Sequence, residues 1–145
     1  MLTERSLAWA SLAPGLMVSA ALAPKDAWFL SNFLFYWLSQ LAVLGLVAAP
    51  GPRPAIIAGT ASALALYLGS YGVWLFSRTP PESLAWLGYV CSLPGALAGV
   101  LGVALWMRRQ ELIPTGMATL SVGMATLVGI GLNQALVCST VLYCA

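Results

Sequence analysis

Histidine is absent from this 145-residue chain, and only 7% of its residues are charged. The first absence removes His-ligated haem, the usual zinc and copper sites, and every Ser-His or Cys-His catalytic arrangement. The second excludes a water-facing surface. Soluble domains carry roughly 25% charged residues, and six basic with four acidic side chains would leave apolar patches larger than soluble monomers tolerate. Cysteine is scarce as well: Cys91, Cys138 and Cys144 include no CxxC spacing, so neither a redox dithiol nor a four-thiolate metal site is supported. The net charge of +2 is scattered rather than clustered, which leaves no nucleic-acid footprint. Neither a metal nor a cofactor is expected.

What remains is 61% hydrophobic, a composition for which lipid is the natural solvent. A membrane-crossing helix needs roughly 20 apolar residues, with about 17–25 acceptable, and the few charges divide the chain at close to that interval. The expected spans cover residues 6–23, 27–49, 55–76, 83–107 and 114–136. They are separated by Lys25-Asp26, by Pro50-Gly51-Pro52-Arg53-Pro54, by Arg78-Thr79-Pro80-Pro81-Glu82, and by Arg108, Arg109 and Glu111. Short connections make consecutive helices antiparallel neighbours. The predicted fold is therefore all-α: a polytopic transmembrane bundle of about five antiparallel spans, with no soluble domain. Beyond Leu136 the tail either emerges at the membrane surface or folds back along it.

The first span shares features with a signal peptide, namely Arg5 before a short apolar core and Ala21-Leu22-Ala23 as a small-x-small cleavage pattern. Pro24 would stand immediately after the cut, a poor site for a peptidase, so a retained helix is expected. Lys and Arg in short loops set orientation. With the N-terminus inside, Arg5, Arg53, Arg108 and Arg109 face the cytoplasm, and Lys25 and Arg78 face outward. The expected location is a bacterial inner membrane, N-terminus cytoplasmic and C-terminus outside, the bacterial origin resting on an Ala/Leu/Gly-rich composition with arginine far above lysine.

Small residues recur at helical spacing. Gly95 and Gly99 form a GxxxG followed by Gly102, and Gly116-Met117-Ala118-Thr119-Leu120 is repeated as Gly123-Met124-Ala125-Thr126-Leu127. The seven-residue period places Gly116, Thr119, Gly123 and Thr126 on one stripe. Such faces let helix backbones approach closely where lipid offers no hydrophobic drive for association. They serve either packing within this bundle or docking of a partner. Asn32, Tyr36, Ser39 and Gln40 line one face of the second span, where polar groups act as interhelical ties or as the wall of a polar pathway. An outward pocket lined by Asn32, Tyr71, Trp74, Asn133 and Gln134 is the candidate binding site. Pro14-Gly15 and Pro94-Gly95 are expected to kink their helices or open the hydrogen-bond ladder. A disulfide between Cys138 and Cys144 is within reach if the last helix ends near Leu136, while Cys91 is expected to be a small buried hydrophobe.

None of the five spans holds an Asp, Glu, His, Lys or Arg side chain. Acid–base catalysis and proton- or cation-coupled transport both rely on such groups inside the membrane, so an enzyme is not expected. The leading expectation is a non-catalytic membrane protein, an accessory subunit or interaction partner of another integral membrane protein. Small accessory subunits, and the small inner-membrane immunity proteins that neutralise pore-forming toxins, share this outline of size and helix count, though no motif. The alternative is a small homo-oligomeric channel or transporter for a neutral solute, in which Asn32, Tyr36, Gln40, Asn133 and Gln134 should converge on one axis.

Overall fold

The structure is a computed structural model describing residues 3–77, 85–107 and 113–140. The loop residues Arg78, Glu82, Arg108, Arg109 and Glu111 lie outside the described residues, as do Tyr143 and Cys144. Among those described, every regular element is helical: α1 (Glu4–Ala10), α2 (Leu12–Leu22), α3 (Phe29–Ala48), α4 (Pro54–Phe76), α5 (Ala85–Met107) and α6 (Thr115–Thr140). Four of them, α3 to α6, are long and apolar enough to cross a membrane as single helices.

The first segment departs from the expected single helix. Pro14 has no N–H to give the Ala10 carbonyl, the group four residues before it, and the helix divides at Ser11. Ser11 holds the junction locally: its N–H donates to the Leu7 carbonyl at 3.0 Å and its hydroxyl to the Ala8 carbonyl at 2.7 Å. Together α1 and α2 still run the length of α4. Glu4 meets Arg53 at the α4 N-terminus, and Leu22 packs on Gly72 near its other end. Pro94 behaves differently: α5 continues through it without interruption.

The turns follow their residues. Gly51 takes φ +65° and donates its N–H to Ala48, closing α3. Pro54 then opens α4 from the first-turn position, where a missing N–H is harmless. Just before α3, Asp26 closes an Asx turn by accepting from the Trp28 N–H at 2.8 Å.

The long helix α4 is the axis of the bundle. Its apolar window is 56% buried, against 17% for α6. A run rich in alanine and glycine (Ala55, Ala58, Gly59, Ala61, Ala63) makes this burial feasible, because narrow side chains let neighbours close in on several sides. Around it the helices alternate in direction. On α5 and α6, Gly95 faces Gly129 and Gly99 faces Ala125, an antiparallel register. On α4 and α6, Gly59 faces Thr119 and Gly123 while Tyr67 faces Gln134, a parallel one.

Outer and inner surfaces are inverted relative to a soluble protein. Leu66, Val73, Leu120 and Leu132 are each more than 60% exposed, whereas Ser19, Gln40, Thr60, Ser92 and Thr126 are buried to within 1%. The buried hydroxyls mostly donate back to their own helix, as Thr60 does to Ile56 (2.8 Å) and Thr126 to Val122 (2.7 Å). Each of these hydroxyls is thereby satisfied within its own helix.

The end of the bundle that carries the N-terminus is tied by one ionic cluster. Arg53 donates to Glu4 at 2.7 Å and to the Ile113 carbonyl at 3.2 Å, and Thr115 donates to the same Glu4 oxygen. The Thr115 hydroxyl first, then the Arg53 guanidinium, hold the Glu4 carboxyl below its ordinary pKa. A depressed native pKa contributes stability above the unfolded value and loses it as pH falls through the native one. Glu4→Gln should therefore flatten the acid limb of the thermal stability curve below about pH 4.5. The difference should be small, up to about 1 kcal/mol, because the pair is partly exposed. Melting temperatures of both proteins from pH 7 to pH 3 check this; parallel curves would refute it.

Candidate functional site

The chemistry-bearing residues gather at the opposite end of the bundle, where α3, α4, α5 and α6 meet. Tyr36 and Ser39 come from α3, Tyr67, Tyr71 and Trp74 from α4, Trp86, Tyr89 and Ser92 from α5, and Gln134 from α6. Tyr67 and Tyr71 are four apart and so lie one above the other on the inner face of α4, their ring centroids 5.7 Å apart. Tyr89 stacks on Tyr67 at 5.5 Å and meets Tyr71 at 6.0 Å. Trp86 bridges the set to α3, 4.5 Å from Tyr36, and lies 5.9 Å from Tyr71. Offset and tilted ring pairs at these separations stabilise beyond their buried area, by about 0.5–1.5 kcal/mol each.

Hydrogen bonds close most of the cluster. The Tyr67 hydroxyl donates to Gln134 Oε1 at 2.9 Å, and Ser92 donates to the Tyr89 carbonyl at 2.6 Å. A Cβ on Gly88 would stand 2.8 Å from Tyr71 Oη and 3.7 Å from Gln134 Nε2, so both groups converge over the α5 backbone. One group is left over. The Tyr89 hydroxyl is fully buried and has no hydrogen-bond partner. Ser39, which donates to the Tyr36 carbonyl at 2.9 Å, lies close to it without reaching hydrogen-bond geometry.

Of the five residues expected to line an outward pocket, the structure joins Tyr71, Trp74 and Gln134 to this cluster and leaves two elsewhere. Trp74 contacts Tyr71 at 5.3 Å. The Asn32 amide donates to Trp28 on its own helix at 2.9 Å, and the Asn133 amide ties α6 to α5 by donating to the Cys91 carbonyl. The polar residues expected to share one axis separate in the same way. Gln40 reaches across to the Ser19 hydroxyl at 3.3 Å, over Gly15, where Trp37 also packs.

The small-residue stripes are used inside the chain. A Cβ at Gly95, Gly99 or Gly129 would collide with a carbonyl of the facing helix, so α5 and α6 touch backbone to backbone. Gly59 does the same for α4 against Thr119 and Gly123. Gly102 and Gly116, by contrast, face open space. Thr119 and Thr126 direct their hydroxyls into their own helix, and Thr126 is fully buried. Gly59 and Gly129 were not among the expected contact residues. The Ala55-xxx-Gly59-xxx-Ala63 spacing carried that signal for α4.

At the cysteines, Cys91 is exposed and free, not the buried hydrophobe expected. The last helix passes the expected end at Leu136 and continues to Thr140. At 26 residues it is about 39 Å long, longer than a hydrocarbon core of roughly 30 Å. Cys138, in its final turns, is disulfide-bonded and accepts a long hydrogen bond from Gln134 at 3.8 Å. Its expected partner Cys144 lies outside the described residues.

These features define the class: an all-α, multi-pass membrane protein with a tyrosine-rich interior at one end and an ionic tie at the other. No protein-family model matches the chain, and neither does any curated protein or solved structure.

Proposed function

We propose that this chain is a non-catalytic protein of a bacterial inner membrane that docks against another integral membrane protein, as an accessory subunit or an immunity-type partner. The observation that carries the reading is how its intramembrane polar groups are used. Gln40 with Ser19, Tyr67 with Gln134, and Asn133 with the Cys91 carbonyl form separate interhelical ties, not a continuous polar path. Interactions of this kind hold a bundle together and leave its apolar periphery as the surface that meets other molecules. The least buried of the four long helices, α6, presents Met117, Leu120, Met124, Val128, Leu132 and Leu136 outward. The N-terminus faces the cytoplasm in this reading, because Arg5 and Arg53 share one end of the bundle and Lys25 lies at the other.

A second reading, a small homo-oligomeric channel or transporter for a neutral solute, is favoured by the unpartnered Tyr89 hydroxyl within the tyrosine cluster. Purification from the native membrane in mild detergent, followed by mass spectrometry, separates the two. A stoichiometric larger membrane protein is the expected result. A homo-oligomer containing nothing else would overturn the docking reading and make solute flux in liposomes the next measurement.

A further inference from the structure

Two arginines stand at the N-terminal end of the bundle, and they differ in their surroundings. Arg53 is neutralised by Glu4 and further held by the Ile113 carbonyl. Arg5 is exposed and makes no ion pair among the described residues. It sits at the rim of a groove of about 590 Å³ between α1, the last turns of α3 and the first turns of α4. Its lining is otherwise apolar, with Leu12, Leu41, Leu44 and Ile57 among the residues that form it. Gly45 also lines it, and its missing side chain leaves open space. Trp9 lines the same groove, one turn from Arg5 on the same face of α1, and is 75% exposed.

We infer that this groove binds one anionic phospholipid, its acyl chain along Leu12, Leu44 and Gly45 and its headgroup phosphate on Arg5. Charge complementarity selects the occupant. An apolar slot alone would take any lipid tail, but an unneutralised guanidinium at its mouth, at the depth where headgroups lie, favours a net-negative headgroup over a zwitterionic one. Trp9, exposed beside Arg5, is of the residue type enriched at headgroup depth, where an amphipathic ring is favoured. Arg53 does not compete for the phosphate, since its charge is already matched by Glu4.

The test uses the whole protein in nanodiscs of equal phosphatidylglycerol and phosphatidylcholine, released into the gas phase for native mass spectrometry of the retained lipids. The wild type should retain phosphatidylglycerol over phosphatidylcholine by about fivefold, the preference one interfacial arginine supplies. The Arg5→Gln variant should bring that ratio close to one. Gly45→Leu, which puts a side chain into the open space at a lining position, should cut retention of both lipids. Soluble glycerol 3-phosphate, which carries the headgroup charge without a tail, should not displace the bound phosphatidylglycerol.

Equal retention of the two lipids by the wild type, an unchanged ratio in Arg5→Gln, or displacement by glycerol 3-phosphate would each overturn the inference. Among the described residues Arg5 makes no ion pair, and a Cβ at Gly45 meets nothing within 4 Å. A second measurement on the wild type alone guards against a folding defect. Phosphatidylglycerol added to detergent micelles should raise the melting temperature more than phosphatidylcholine does, with the gap narrowing at 1 M salt. No gap at low salt would equally refute the site.

Discussion

Gly99→Ala is expected to lower the stability of the bundle by about 3 kcal/mol, at the upper end of what overpacking costs. A Cβ at this position would lie inside the carbonyl of Ala125 on the facing helix, and the opposing group is backbone, not a side chain that could rotate away. The two helices would have to separate along their shared length. Gly95 against Gly129 marks the same approach one turn away, so the loss propagates along the seam. In water a separated pair could recover free energy by burying other apolar surface. In lipid that compensation is absent, because the tails are as apolar as the side chains and association rests on van der Waals contact.

Gly102→Ala is the matched control. It belongs to the same glycine run but faces open space, so it should be neutral or slightly stabilising through better helix propensity. Thermal unfolding in one detergent compares the two substitutions directly. Equal effects at both positions would show that the seam is not the tight contact described.

Tyr89 should produce the second large effect, and in opposite directions for its ring and its hydroxyl. The ring is fully buried against Tyr67, Tyr71 and Trp86. Tyr89→Ala removes it from the centre of the cluster and should cost about 3–5 kcal/mol, the range for truncating a buried aromatic side chain. Tyr89→Phe keeps the ring and deletes a hydroxyl that has no partner. A buried, unsatisfied polar group costs about 1–3 kcal/mol, so the phenylalanine variant should be more stable than the wild type, by about 1 kcal/mol. The sign of that change bears on function. A gain leaves the cluster as structural packing, in line with the docking reading. A loss would mean that the hydroxyl has a partner in the native membrane, which is what a solute site at this end of the bundle requires.

Much of the architecture was legible in the chain itself. Ten charged residues, confined to the N-terminus and to the intervals between apolar runs, mark out the helices α3 to α6, because lipid leaves neither charges nor unpaired backbone groups anywhere else to go. The break in the first segment was also written locally, since Pro14 removes one ladder bond wherever it stands inside a helix. Pro94 shows the limit of that rule. The same residue type lies inside α5, which runs without interruption from Ala85 to Met107.

Side-chain destinations were decided only by the tertiary structure. Helical periodicity placed Asn32, Tyr36, Ser39 and Gln40 on one face of α3, yet they part company: Gln40 goes to Ser19, Tyr36 to Trp86, and Asn32 back to its own backbone. The glycine stripes divide likewise, Gly95 and Gly99 meeting a neighbour at contact distance and Gly102 and Gly116 meeting nothing. Composition and spacing determined which stretches are helical, which are apolar, and where each helix has a small or polar face, because those properties depend on one helix at a time. Which face meets which neighbour, why α4 lies at the centre, and how four tyrosines come to share one interior depend on the mutual fit of several helices. Lipid, being equally apolar on every side, gives a single helix no preferred direction to turn, so that choice belongs to the assembled bundle.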